Sequence, residues 1–405
     1  MKIFLRSFAV TTAVLAVGLF IFGFANRTNL FPKTGQASAS TPSQTVSRTK
    51  SSSKVSAYPA AWDDHGIFSA FYGKAYKKLS AMSLSEKVGQ MLLARCPSED
   101  AVESVGKYHL GGYVLFEQDF KGKSAPQVIS TLGSYQSAAS IPMLMAVDEE
   151  GGTVVRISEN PKLSKTKFKS PHELYAEGGL AALKKDASNK AALLKSLGIN
   201  LNLAPVSDVS TNPSDYIYKR ALGKPAKETG AYVSAVVGAT RSAGLASTLK
   251  HFPGYGDNVN THTGIAIDKR PYSTFTSSDF VPFEDGIAAG AECVLVSHNV
   301  VECMDKGVPA SLSPKVHGIL RNDLHFTGVI MTDDLSMDAI KDYTHSTDPS
   351  VKAVLAGNDL LLTTDFKESY DSVLAAAENG TIPPGLIDKA VFRVLAFKYA
   401  DGIMK

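Results

Sequence analysis

From about Ala57 onward, short apolar runs alternate with amphipathic segments, and each run ends in a polar or glycine-rich corner. Eight runs have this form: Gly89 to Ala94, Gly112 to Phe116, Pro142 to Val147, Ile199 to Val206, Leu245 to Leu249, Glu292 to Val296, Gly328 to Met331 and Asp359 to Leu362. Short, continuously apolar stretches suit strands buried on both faces, and the segments between them suit helices at Ala226 to Ala243, Asp279 to Ala289, Pro314 to Leu324 and Phe366 to Asn379. Ser83 and Glu86 have capping-box spacing, which predicts a helix running into the first strand. Eight strand-helix alternations predict an α/β fold, a (β/α)8 TIM-type barrel.

A doubly wound open sheet has the same periodicity, so the placement of polar residues has to separate the two. Asp148 follows the third run, Asp208 the fourth, Lys250 and His251 the fifth, His298 the sixth, Asp333 and Asp334 the seventh, and Asp365 the eighth. In a barrel, strand ends converge on one face, and residues far apart in sequence line one pocket. A helix N-cap is the plainer role for any single aspartate, Asp334 in DDLSM among them. Recurrence at six successive strand ends favours the pocket.

The densest chemistry lies in KHFPGYGDNVNTHTG, residues 250–264, which gathers a lysine, two histidines and an aspartate around a Pro-Gly-Tyr-Gly turn. With LASTL just before it as a buried strand, Lys250 and His251 are expected where the strand stops and a loop carrying His262 begins.

Composition narrows the field. The chain has 405 residues, 44% hydrophobic and 20% charged, which is ordinary for a globular protein. A formal charge of +3 and the lack of a recognisable binding motif argue against a nucleic-acid partner. Cys96, Cys293 and Cys303 have no zinc-ligand spacing, the histidines have none either, and no dinucleotide fingerprint follows a strand, so neither a metal nor a redox cofactor is expected. At the N-terminus, Lys2 and Arg6 precede an uncharged apolar stretch from Ser7 to Ala25, long enough to span a bilayer. Residues 1–33 therefore read as a signal peptide or transmembrane anchor, with an anchor slightly favoured, and 34–56 as a Ser/Thr-rich linker. Residues 57–405 read as a single barrel domain, expected outside the cytoplasm, held to or released from a bacterial cell envelope.

Taken together, SLSEKVGQM, AVDEEGGTVVR at 146–156, NLAPVSDVS at 202–210, YKRALGKP, KHFPGYG, LVSHNVV at 295–301 and GVIMTDDLSM at 328–337 resemble glycoside hydrolase family 3, in its single-domain β-N-acetylglucosaminidase (NagZ-like) branch. The resemblance runs from about Met82 to the C-terminus. It implies retaining hydrolysis of a terminal β-linked GlcNAc from peptidoglycan fragments or related glycans, through a covalent glycosyl-aspartate. By the same resemblance Asp333 is the nucleophile, kept ionised by a nearby Lys250, and His262 is the acid/base. Asp148, Arg220, Lys250 and His251 bind hydroxyls of the non-reducing-end sugar, while Asp208 and His298 rank as supporting residues.

Two positions depart from the family pattern. Where the branch has an aspartate two residues before the acid/base histidine, this chain has Asn260, which can orient an imidazole but cannot balance its charge. In a serine-protease triad the comparable loss of the anion lowers turnover by about 10⁴. Asp257 is a possible substitute. Thr153 stands where an arginine commonly follows EGG, which bears on contacts beyond the first sugar. Alternative readings are a weakened or inactive wall-tethered sugar-binding protein on the same scaffold, or a family 3 β-glucosidase, which the KHFPG loop disfavours.

Overall fold

The computed structural model describes residues 58–256, 264–344 and 348–405. The N-terminal segment and linker, His262, Asn260 and Asp257 lie outside them. Among the described residues no helix is long and apolar enough to cross a membrane.

Eight parallel strands form the centre: β1 (Leu92–Arg95), β2 (Gly112–Leu115), β3 (Leu144–Val147), β4 (Leu201–Asn202), β5 (Ala246–Phe252), β6 (Cys293–Val296), β7 (Val329–Thr332) and β8 (Leu361–Thr363). Each pairs with its neighbour in chain order from β1 to β7, and β8 pairs back with β1, Leu92 opposite Leu361. A parallel bridge between Met331 and Leu360 brings β7 beside β8. A doubly wound sheet would reverse direction at a switch point and leave two edges. This ring does neither, so the architecture is the (β/α)8 barrel.

All eight apolar runs carry a strand, with shifted ends. The capping box forms: the Glu86 N–H donates to Ser83 Oγ at 3.2 Å and the Ser83 N–H to Glu86 Oε2 at 2.8 Å. The helix it starts, Leu84–Gln90, takes Gly89 and Gln90 from the expected strand. Gly89 is packed so tightly that a Cβ would lie 2.1 Å from the Tyr108 carbonyl oxygen. In the fourth run the regular ladder covers only Leu201–Asn202, and contact with the fifth strand resumes as the Thr248 N–H donates to the Ala204 carbonyl at 3.0 Å and Val206 bridges to Lys250. The expected helices appear at Ala226–Ser242, Phe280–Ala288, Pro314–Gly318 with a π-turn over Ile319–Asp323, and Phe366–Glu378. A longer helix, Pro171–Ser196, is kinked at Gly178 and Gly179, and its weak amphipathic pattern left it unread.

The fifth strand is the largest correction. It continues through Lys250 and His251 to Phe252, and those two residues are only 3% and 4% exposed. A bulge shifts the pairing by one residue between Leu249 and Phe252, after which Phe252 pairs with Val296 and its ring stacks on Phe280 at 5.6 Å. The burial of that ring draws two polar residues inside the barrel mouth.

Candidate active site

The C-terminal strand ends surround a cavity of about 770 Å³, within the range of small-ligand sites. Its walls include Asp148 after β3, Arg220 from the loop after β4, Lys250 and His251 of β5, and Asp333 immediately after β7. Four of the five are held in one chain of ion pairs and hydrogen bonds. Lys250 Nζ lies 2.6 Å from Asp148 Oδ1 and 2.6 Å from Glu150 Oε1. Arg220 clasps Glu150 with two bonds, Nε to Oε2 at 2.9 Å and Nη2 to Oε1 at 2.7 Å. Nη2 also reaches His251 Nε2 at 3.1 Å, and His251 Nδ1 meets Asp208 Oδ2 at 2.7 Å.

Burial opposes ionisation of Glu150, but the adjacent Arg220 and Lys250 outweigh it and hold the carboxyl well below the carboxylate range. Burial likewise works against the Lys250 ammonium, and Asp148 and Glu150 overcome it to raise its pKa. Both cations therefore stay charged at neutral pH, bound to carboxylates yet bordering the cavity. Groups fixed in this way can direct hydrogen bonds at a hydroxylated ligand without reorganising.

Glu150 is a residue that sequence reasoning missed, although it lies in the quoted AVDEEGG motif. Its neighbour Glu149 is fully buried and accepts the N–H groups of Arg156 and Ile157, both at 2.8 Å, and of Ser158 at 3.2 Å. These bonds fold the loop back so that Arg156 joins the cavity wall. Arg156 Nη2 is 4.0 Å from Asp148 Oδ2, and its buried Nε has no hydrogen-bond partner among the described residues. A cationic donor with spare capacity beside Asp148 was likewise not anticipated.

Lys250 and Asp333 line the same cavity, and the Lys250 ammonium is also paired with Asp148 and Glu150. One expectation changes. Asp334 does not begin the next helix, which starts at Asp338. It accepts the Thr364 N–H at 3.0 Å and the Thr364 hydroxyl at 2.6 Å, tying the β7 and β8 loops together. Asp208 and His298 are buried and lie outside the residues that line the cavity. Asp208 also accepts the Tyr255 N–H at 2.7 Å, and His298 lies between Ser311 Oγ at 2.7 Å and the Asp334 carbonyl at 2.9 Å. Asp365 is exposed at the start of the helix Phe366–Glu378 and lies apart from the cavity wall. Asp333 donates its N–H to Val296 O at 3.0 Å and accepts the Asp334 N–H at 2.9 Å, which presents its carboxylate at the mouth of the barrel.

Residues 83–397 match the glycosyl hydrolase family 3 N terminal domain. The chain belongs to glycoside hydrolase family 3. A β-hexosaminidase of Stenotrophomonas maltophilia is 35% identical over 235 residues, covering 57% of this chain and 69% of its own. A glycoside hydrolase family 3 β-N-acetylglucosaminidase from a Paenibacillus species superposes with a TM-score of 0.75 at 31% identity, covering 80% of this chain. This chain spans 63% of that Paenibacillus protein. A β-N-acetylhexosaminidase from Beutenbergia cavernae superposes at 0.70 with 28% identity, over 79% of this chain and 99% of its own. The family 3 member described here is thus a glycoside hydrolase with β-hexosaminidases for relatives.

Proposed function

We propose that the chain is a retaining exo-β-N-acetylglucosaminidase that removes terminal β-linked GlcNAc from peptidoglycan fragments or related glycans. The observation that carries this reading is the convergence of Asp333, Asp148, Arg220 and Lys250 on one cavity at the C-terminal face. An Asp333 carboxylate oxygen attacks the anomeric carbon while the bond to the leaving oxygen breaks, and His262, as imidazolium, gives that oxygen its proton. Water then attacks the glycosyl-aspartate, neutral His262 takes its proton, and Asp333 leaves as carboxylate. Asn260 orients the imidazole. Asp148, Arg220, Lys250 and His251 bind the hydroxyls of the terminal sugar, and His251 also positions Arg220. The apolar stretch from Ser7 to Ala25 supports a place outside the cytoplasm, anchored or released.

Release of a chromogenic aglycone from β-GlcNAc and β-glucoside substrates by the full chain tests the reading, with Asp333→Ala in parallel. Turnover of the GlcNAc substrate that falls at least about a thousandfold in the variant, with an unchanged melting temperature, is expected. Binding of GlcNAc without turnover would instead identify a sugar-binding protein.

A further inference from the structure

The loops after β6, β7 and β8 meet at Asp334, the residue next to Asp333. The Asp334 N–H donates to Asp333 Oδ1 at 2.9 Å, so the direction in which the Asp333 carboxylate points depends on how firmly the Asp334 backbone is held. A reacting group has to stay within about 0.5 Å of its productive position, and one displaced by about 1 Å loses on the order of a hundredfold in rate.

Two separate anchors hold Asp334. On one side its carboxylate accepts the Thr364 N–H at 3.0 Å, the Thr364 hydroxyl at 2.6 Å and the Ser336 N–H at 2.9 Å, which ties it to the loop after β8 and to the turn that follows it. On the other side its carbonyl oxygen faces His298 Nε2 at 2.9 Å. A carbonyl can only accept, so Nε2 carries a proton, and in the neutral ring Nδ1 accepts from Ser311 Oγ at 2.7 Å. His298 and Ser311 are fully buried. Ser311 is fixed in turn, its N–H donating to the Ser297 carbonyl at 3.0 Å and its own carbonyl accepting from Asn358 Nδ2 at 2.8 Å. Satisfying a buried imidazole requires only some partner for each nitrogen. Here the partner of Nε2 is the residue whose N–H holds the nucleophile, and a single residue links imidazole to carboxylate.

We propose that His298 and Thr364 are positioning residues for the nucleophile: by clamping Asp334 at its carbonyl and at its carboxylate, they aim the Asp333 carboxylate at the anomeric carbon. Neither lines the cavity, so neither has to touch a sugar. The proposal rests on the reading of Asp333 as the nucleophile of a glycosidase.

The test compares His298→Leu, His298→Gln and Thr364→Val in the full chain. Glutamine can place an amide N–H close to where the Nε2–H stood, and leucine cannot. The measurements are kcat on an aryl β-GlcNAc, the dissociation constant of GlcNAc by calorimetry, and the crystal structure of each variant. His298→Leu is expected to lower kcat about a hundredfold, while GlcNAc affinity, set by the opposite wall of the cavity, stays unchanged. His298→Gln is expected to recover most of that loss. Thr364→Val, a near-isosteric change at a half-buried position that keeps the backbone bond, is expected to lower kcat about tenfold in the same way, and it serves if the histidine variants fail to fold. In the crystals the Asp333 carboxylate should be turned away from the Asp334 N–H. An unchanged kcat, equal losses in kcat and in GlcNAc affinity, or a glutamine no better than leucine would overturn the proposal. A parent enzyme that cleaves no aryl β-GlcNAc would overturn the hydrolase reading instead, and the crystal structures would still judge the clamp, since an Asp333 carboxylate that has not moved in the variants refutes it.

Discussion

Arg220 Nη2 lies 3.1 Å from His251 Nε2, and because a guanidinium can only donate, that ring nitrogen accepts. The imidazole proton is then on Nδ1, 2.7 Å from the Asp208 carboxylate, and a buried aspartate thereby sets the orientation of an arginine at the cavity wall. Asp208 does not have to touch a ligand to matter.

Asp208→Asn is expected to disturb this relay, because an amide can present its N–H to Nδ1 and favour the other tautomer, whose Nε2–H would oppose Arg220. We expect KM for a β-GlcNAc substrate to rise about tenfold with a smaller change in kcat, and nitrogen NMR of the histidines to show the tautomer exchange. A fall in kcat alone would argue against the relay.

Glu150→Gln leaves Lys250 and Arg220 with half their compensation in a buried site. Removing one partner of such a network costs on the order of 3–5 kcal/mol, so a clear drop in melting temperature together with a raised KM is expected. The Glu150 carboxyl is held well below its ordinary value in the fold, so its contribution is complete above about pH 4.5 and declines as the pH falls further. Melting curves of the parent and the variant should therefore converge in acid, and a gap that widens there would contradict the assignment.

At Asp401 the sign is reversed. Burial, followed by the nearby Glu292 carboxylate, pushes its carboxyl up to about 7 against the pull of Arg241 and Lys195. Folding then favours the protonated form, and stability is lost as the pH rises from about 4 through 7. Asp401→Asn should match the parent at pH 4 and melt at a higher temperature at pH 8. A difference that does not vary with pH would contradict this.

Asn260→Asp restores the anion that the family pattern places beside the acid/base histidine. Steady-state rates should show a higher kcat on a β-GlcNAc substrate if imidazolium stabilisation limits turnover. An unchanged rate would point to Asp257 or another partner.

The ring of strands, and which end of it gathers the polar residues, can be read from the order of residues along the chain. Apolar runs and capping boxes are local signals, and Ser83 with Glu86, or Asp333 directly after a strand, could be read within a few residues. The partnering of the polar groups is set by the closed fold. Glu150 meets Arg220 across 70 positions and Asp148 meets Lys250 across 102, and no local pattern encodes such pairs. The end of β5 was hidden for the same reason, since Lys250 and His251 read as loop residues until Asp148, Glu150 and Asp208 are there to compensate them. Burying a charge is unfavourable until its counter-charge arrives, and that arrival is a property of the closed barrel.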